Sequence, residues 1–119
     1  MANSILKEKS YAFAIRIVRL SRYLQSDKKE YVLSRQIIRS GTAISAMIRE
    51  AEFGQSRADF ISKMSIALKE ANETDYWILL LKDTEFISEK PYESINADCK
   101  EIIAMLVSTI KTAKSNGNK

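Results

Sequence analysis

Between positions 39 and 81, two long apolar-periodic segments are separated only by Phe53-Gly54-Gln55-Ser56. Long helices joined by so short a turn must lie side by side and antiparallel. The flanking parts of the chain carry the same periodicity, so the expected fold is all-α, an antiparallel up-down-up-down four-helix bundle. Three glycines and one proline in 119 residues leave little punctuation for a many-turned β fold. The chain reads as a single four-helix bundle domain over 1–119, large enough to bury a core without a disulfide or a metal.

The spacing predicts helices over about 5–25, 28–53, 57–84 and 91–114. In the first, Leu6, Phe13, Ile17, Leu20 and Leu24 form one apolar stripe; in the second, Leu33, Ile37, Ser40, Ile44, Met47 and Ala51 alternate in steps of four and three. The third repeats that alternation through Phe60, Met64, Ala67, Ala71, Thr74, Ile78 and Leu81. Such spacing implies shallow crossings. Ile95, Cys99, Ile102, Leu106 and Ala113, with Ile103 and Ile110 beside them, line the fourth.

The boundaries have local signals. Asp27 with Glu30 reads as a capping box opening the second helix at Lys28. Gly54 reads as its left-handed C-cap. Ser56 with Asp59 caps the third, Pro91 suits the first turn of the fourth, and the tail 115–119 is expected to fray. A second apolar flank, Ile38, Gly41, Ile48, Ile61, Leu68 and Leu79, either widens the core or meets other subunits.

Absent residue types narrow the chemistry. With no histidine, Ser-His-Asp and Cys-His sites and the Glu-x-x-His ligands of di-iron bundles are excluded. Cys99, the only cysteine, sits at a seam position and reads as a small core residue in a reducing compartment. The three glycines are isolated, so no phosphate loop exists. No catalytic residue, cofactor or metal site is expected. The start has no apolar run of signal-peptide length and no stretch is long enough to span a membrane, which points to a cytoplasmic protein.

Charge is the remaining lead. Residues 1–59 carry 11 Lys and Arg against 6 Asp and Glu, whereas residues 60–119 carry 8 against 9. All seven arginines lie in the first half. Arg16, Arg19 and Arg22, followed by Lys28 and Lys29, form either a phosphate-tracking strip for RNA or DNA or a solvated helix face. Glu70 and Glu73, with Asp75 nearby, read as ion-pair partners of Arg39 or Arg49 on the antiparallel second helix, with metal binding the alternative. Trp77 and Leu79 are candidate oligomer-interface residues.

The run 39–51, then Gln55-Ser56, Asp59-Phe60, 64–71 and Glu73-Thr74-Asp75-Tyr76-Trp77, resembles the bacterial four-helix bundle family named for proteins encoded in intervening sequences of large-subunit ribosomal RNA genes. Many relatives carry Pro and Asn near Ser45, Ala46 and Met47, and Gly where Glu52 stands. The resemblance implies an up-down-up-down bundle that assembles into a ring, commonly a homopentamer. A related group works with a reverse transcriptase as a retroelement accessory protein and binds nucleic acid through a basic surface. At the matched positions Arg39, Glu50, Ser56, Phe60, Ala67, Glu70 and Glu73 it implies structural roles, so Arg39, Arg49, Glu50, Glu70 and Glu73 are read as one polar network. It implies no catalytic residue. The alternative to nucleic-acid binding is a protein-interaction scaffold.

Overall fold

In the computed structural model, which describes residues 2–117, the chain forms α1 (Ala2–Ser26), α2 (Leu33–Glu52), α3 (Arg57–Asp83) and α4 (Glu89–Gly117). No strand occurs among the described residues. Cross-helix bonds set the directions. Lys7 near the start of α1 reaches Glu52 at the end of α2, while Ser21 near its end reaches Ser34 at the start of α2. Ser40 meets Thr74, and Glu50 meets Lys63, so α2 and α3 are also antiparallel. Asn96 and Lys100 reach Asp75, and Lys9 pairs with Glu101 as Arg16 pairs with Asp98, which closes the ring of four.

The seams fill as their spacing requires. Leu6, Phe13, Ile17, Leu24, Ile37, Ile44, Met64, Ala67, Ala71, Ile78, Leu81, Cys99, Ile102 and Leu106 are all essentially inaccessible to solvent. Two hydroxyls cross the α2–α3 seam: Ser40 and Thr74 lie 2.9 Å apart, and Thr74 also reaches the Glu70 carbonyl at 2.8 Å. With Thr74 donating to that carbonyl, it is free to accept from Ser40. No buried side-chain polar atom among the described residues lacks a partner.

Three local expectations need correction. α2 begins at Leu33 rather than Lys28, and Asp27 does not cap it. Val32 at the N-cap position has an apolar side chain and makes no cap bond. The Glu30 carboxylate supplies the cap, accepting the amides of Val32, Leu33 and Ser34 at 3.2, 3.0 and 2.8 Å. The Glu30 amide itself returns to the Leu24 carbonyl at 2.9 Å, with Lys29 at φ 55° in between. Five residues that read as helix are therefore a connection, and Lys28 and Lys29 belong to it.

Gly54 is not left-handed, since no described glycine has positive φ. What it provides is room: a Cβ there would stand 3.1 Å from the Ala51 carbonyl oxygen and 3.2 Å from the Asp59 carboxylate. Ser56 caps α3 by accepting the Asp59 amide at 3.1 Å. The tail is also more regular than expected, because α4 continues through Gly117 on local backbone bonds. Asn118 and Lys119 lie outside the described residues.

The left-handed cap that the sequence suggests for α2 occurs at the end of α3 instead. Glu85 has φ 68°, its amide bonds the Lys82 carbonyl at 3.0 Å, and the Phe86 amide bonds the Leu81 carbonyl at 2.9 Å. This is a Schellman closure, with glutamate where glycine is usual. Replacing Glu85 with glycine removes the Cβ strain and is expected to stabilise the protein by about 1 kcal/mol, read as a higher urea midpoint at unchanged slope.

Candidate nucleic-acid interface

Arginines three residues apart step about 60° backwards around a helix, so Arg16, Arg19 and Arg22 spread over roughly 120° rather than forming one line. Arg16 turns toward α4. Its guanidinium is held by Asp98 at 2.6 Å and by the Ser94 hydroxyl at 3.0 Å, with the Ser94 carbonyl at 3.4 Å. That charge is neutralised within the chain. Arg19 and Arg22 are exposed and make no ion pair among the described residues.

A groove of about 520 Å³ runs between α1 and α2, lined by Arg22 toward the end of α1 and by Arg49 of α2 toward the opposite end, where Lys7 meets Glu52. Arg19 lines the same groove. The α1 wall is Tyr11, Ala14, Ile15 and Val18; the α2 wall is Thr42, Ser45 and Ala46, small residues that leave it open. At the Arg49 end of the groove, Glu8 and Glu52 accompany Lys7, and Glu52 is paired with Lys7 at 2.8 Å. Around Arg19 and Arg22 no acidic residue lines the groove, so its apolar floor keeps a positive potential there.

Lys28 and Lys29 are exposed, but at the end of the bundle. Lys28 shares a cleft with Glu85 and Glu89, whose charges oppose its own. The five cations of the expected strip are thus divided between an ion pair, a groove and a loop.

Arg49 is a groove residue that sequence reasoning assigned elsewhere. Ten residues separate it from Arg39, which rotates it about 80° away on the helix. Of the two arginines only Arg39 reaches Glu70 and Glu73, bonding Glu70 at 3.3 Å and also Glu73. The Trp77 indole N–H donates to Glu73 at 3.0 Å. Glu50 pairs separately with Lys63 at 3.5 Å. The five-member network is two separate clusters with Arg49 in neither. The signal for Arg49 was its register with Thr42 and Ser45, seven and four residues earlier on the same face.

The indole N–H, and then Arg39, hold the Glu73 carboxyl below its ordinary range. This contribution is present above the unfolded carboxylate pKa and is lost as pH falls through the native one. It is small, because Arg39 is half exposed and water screens the pair. Among the described residues, no group of three or more Asp, Glu, Cys or His side chains converges as a metal-ligand set.

Trp77 and Leu79 do not share a face. Two residues turn about 200° along a helix. Trp77 packs against the core with its N–H on Glu73. Leu79 points outward and is 42 % exposed. It belongs to an exposed stripe of α3 at alternating steps of four and three: Ala58, Ser62, Ser65, Lys69, Asn72, Tyr76, Leu79 and Asp83. Only two of these carry charge.

Cys99 is buried, with its sulfur 3.5 Å from the Ala71 carbonyl oxygen. Desolvation, then the Asp75 charge, push the thiol up to about 12 from an ordinary 9.0. Below pH 9 the thiol is neutral whether folded or unfolded; above it, only the unfolded chain ionises, so stability falls as pH rises toward 12. Relative to Cys99→Ala, the native chain should lose about 1.4 kcal/mol per pH unit in that window. Urea midpoints of both proteins on either side of pH 9 check this.

The family model of the 23S rRNA-intervening sequence protein matches residues 2–108. Among solved structures, a crystal structure of a protein with unknown function from the S23 ribosomal protein family of Bacteroides thetaiotaomicron is 58 % identical. The match covers 93 % of this chain and 99 % of that one, with a TM-score of 0.92. No curated protein gives a significant match.

Proposed function

This chain belongs to the 23S rRNA-intervening sequence protein family, and from that premise we propose that it is a non-enzymatic helical bundle that binds RNA or DNA through the outer face of α1 and α2. The observation that carries the reading is that Arg19, Arg22 and Arg49 all line one groove and none of them makes an ion pair among the described residues. Guanidinium groups suit phosphate oxygens, and affinity built on them falls steeply with salt. Lys28 and Lys29 stand apart from this groove, on the connection beyond the end of α1. Arg16, tied to Asp98, is no longer part of the site.

We further propose that the bundle works as an oligomer, a pentamer by the family resemblance. Repeating the groove around a ring would let weak contacts act together. A partner such as a reverse transcriptase is the accessory role that the resemblance implies. No described helix is long and apolar enough to cross a membrane, and a reducing, cytoplasmic setting accords with one buried free thiol.

Fluorescence anisotropy with labelled single-stranded RNA, single-stranded DNA and duplex DNA across a salt series tests the reading. Replacing Arg19, Arg22 and Arg49 together with glutamate should abolish binding while helicity is retained. Unchanged affinity in that variant would sink it.

The exposed α3 stripe favours a second reading, a protein-interaction scaffold, since Tyr76 and Leu79 stand out on a nearly uncharged face. Light scattering of Leu79→Gln discriminates. A fall in mass assigns this face to assembly, and a native protein that is already monomeric removes the motivation.

A further inference from the structure

Resting on the nucleic-acid reading above, we propose that the α1–α2 groove takes a single strand, its phosphates on Arg19, Arg22 and Arg49 and its bases against Tyr11, Ile15 and Val18. The argument turns on the floor of the groove rather than on its charge. Tyr11, Ile15, Val18 and Arg22 follow one another at steps of four, three and four, a second stripe on the side of α1 away from the core. Along the helix this stripe spans about 16 Å. Tyr11 is 56 % and Ile15 38 % exposed, so the stripe presents apolar surface to water beside cations.

A polyanion is the complementary partner for three guanidinium groups that make no ion pair among the described residues, and its form decides what becomes of the apolar floor. A duplex offers phosphate and sugar outward and keeps its base faces stacked inside. It would satisfy the arginines and leave Tyr11 and Ile15 wet. A single strand brings flat base faces as well as phosphates, and every base can stack on an aromatic side chain whatever its identity. Only the single strand covers both parts of the groove. One exposed tyrosine with two aliphatic neighbours cannot read base edges, so the groove takes single strands without marked sequence preference.

The test uses the intact protein in its native oligomeric state, with labelled oligo-uridine, oligo-thymidine and a duplex of equal length at matched salt. Single strands should bind on the order of tenfold more tightly than the duplex, and Tyr11→Ala should erase that preference. Tyr11→Phe, which keeps the ring, should retain it. Equal binding of all three probes, with Tyr11→Ala silent, would overturn the groove assignment and leave the nucleic-acid reading standing. No binding of any probe at low salt would remove both. If Arg22→Glu instead changes the mass of the oligomer, a second copy covers the groove and the proposal falls.

Discussion

Phe13→Ala is expected to cost about 3–5 kcal/mol, a large part of the roughly 5–15 kcal/mol that holds a domain of this size together. Phe13 is the largest fully buried side chain, only 1 % exposed, and it sits midway along α1 among Ile17, Ile44 and the other core residues. Truncation removes its apolar area and leaves a cavity that four long helices cannot close by shifting one loop. The melting temperature should fall by about 15 °C or more. A urea midpoint shifted at constant slope would locate the effect in the native state. A loss below about 1 kcal/mol would mean that α1 does not pack as described.

Gly41→Ala separates two opposing effects. In a helix interior, alanine is favoured over glycine by about 1 kcal/mol. Here an added Cβ would lie 2.7 Å from Cγ2 of Ile17, 2.8 Å from its Cγ1 and 3.1 Å from its Cβ. Those atoms sit at the branch point of a wholly buried side chain, so they cannot swing aside, and α1 must move. Overpacking of this kind costs about 1–3 kcal/mol or more. We expect a net loss on the order of 2 kcal/mol, and a larger one for Gly41→Val. Combining Gly41→Ala with Ile17→Ala should destabilise by less than the sum of the two, because the second change removes the clash. A stabilised Gly41→Ala protein would show that α1 and α2 are not in close approach.

Gly41 also shows how far the chain could be read in advance. Its place on a second flank is visible from spacing, but the flank has no single fate. Gly41 and Ile48 are buried, Ile38, Ile61 and Leu68 half-buried, and Leu79 exposed. The helix ends divide in the same way. Ser56 caps α3 as its position suggests, because a serine oxygen reaches an amide three residues on without help from the rest of the fold. Asp27 and Glu30 fit the same pattern, yet the carboxylate that caps α2 is Glu30, and the chain between bends back so that its amide meets Leu24. The capping-box pattern placed the cap on Asp27, and the return of the chain to Leu24 moved it to Glu30.

The arginines divide most instructively. Their crowding into the first half is a property of the sequence, and so is the step of three that places Arg16, Arg19 and Arg22 on neighbouring faces of α1. Which of them stays free depends on the neighbours each face meets, Asp98 and Ser94 of α4 for Arg16 and the Arg49 groove of α2 for Arg22. By itself, the sequence determined four helices, their seams and their antiparallel order, because the 4-3 periodicity and a four-residue turn act within one or two elements. Tertiary structure alone decided the true start of α2, the crowding at Gly41, and the place of Arg49 on the same groove as Arg19 and Arg22. Those outcomes rest on contacts between residues far apart in the chain, whose geometry exists only once the helices have packed.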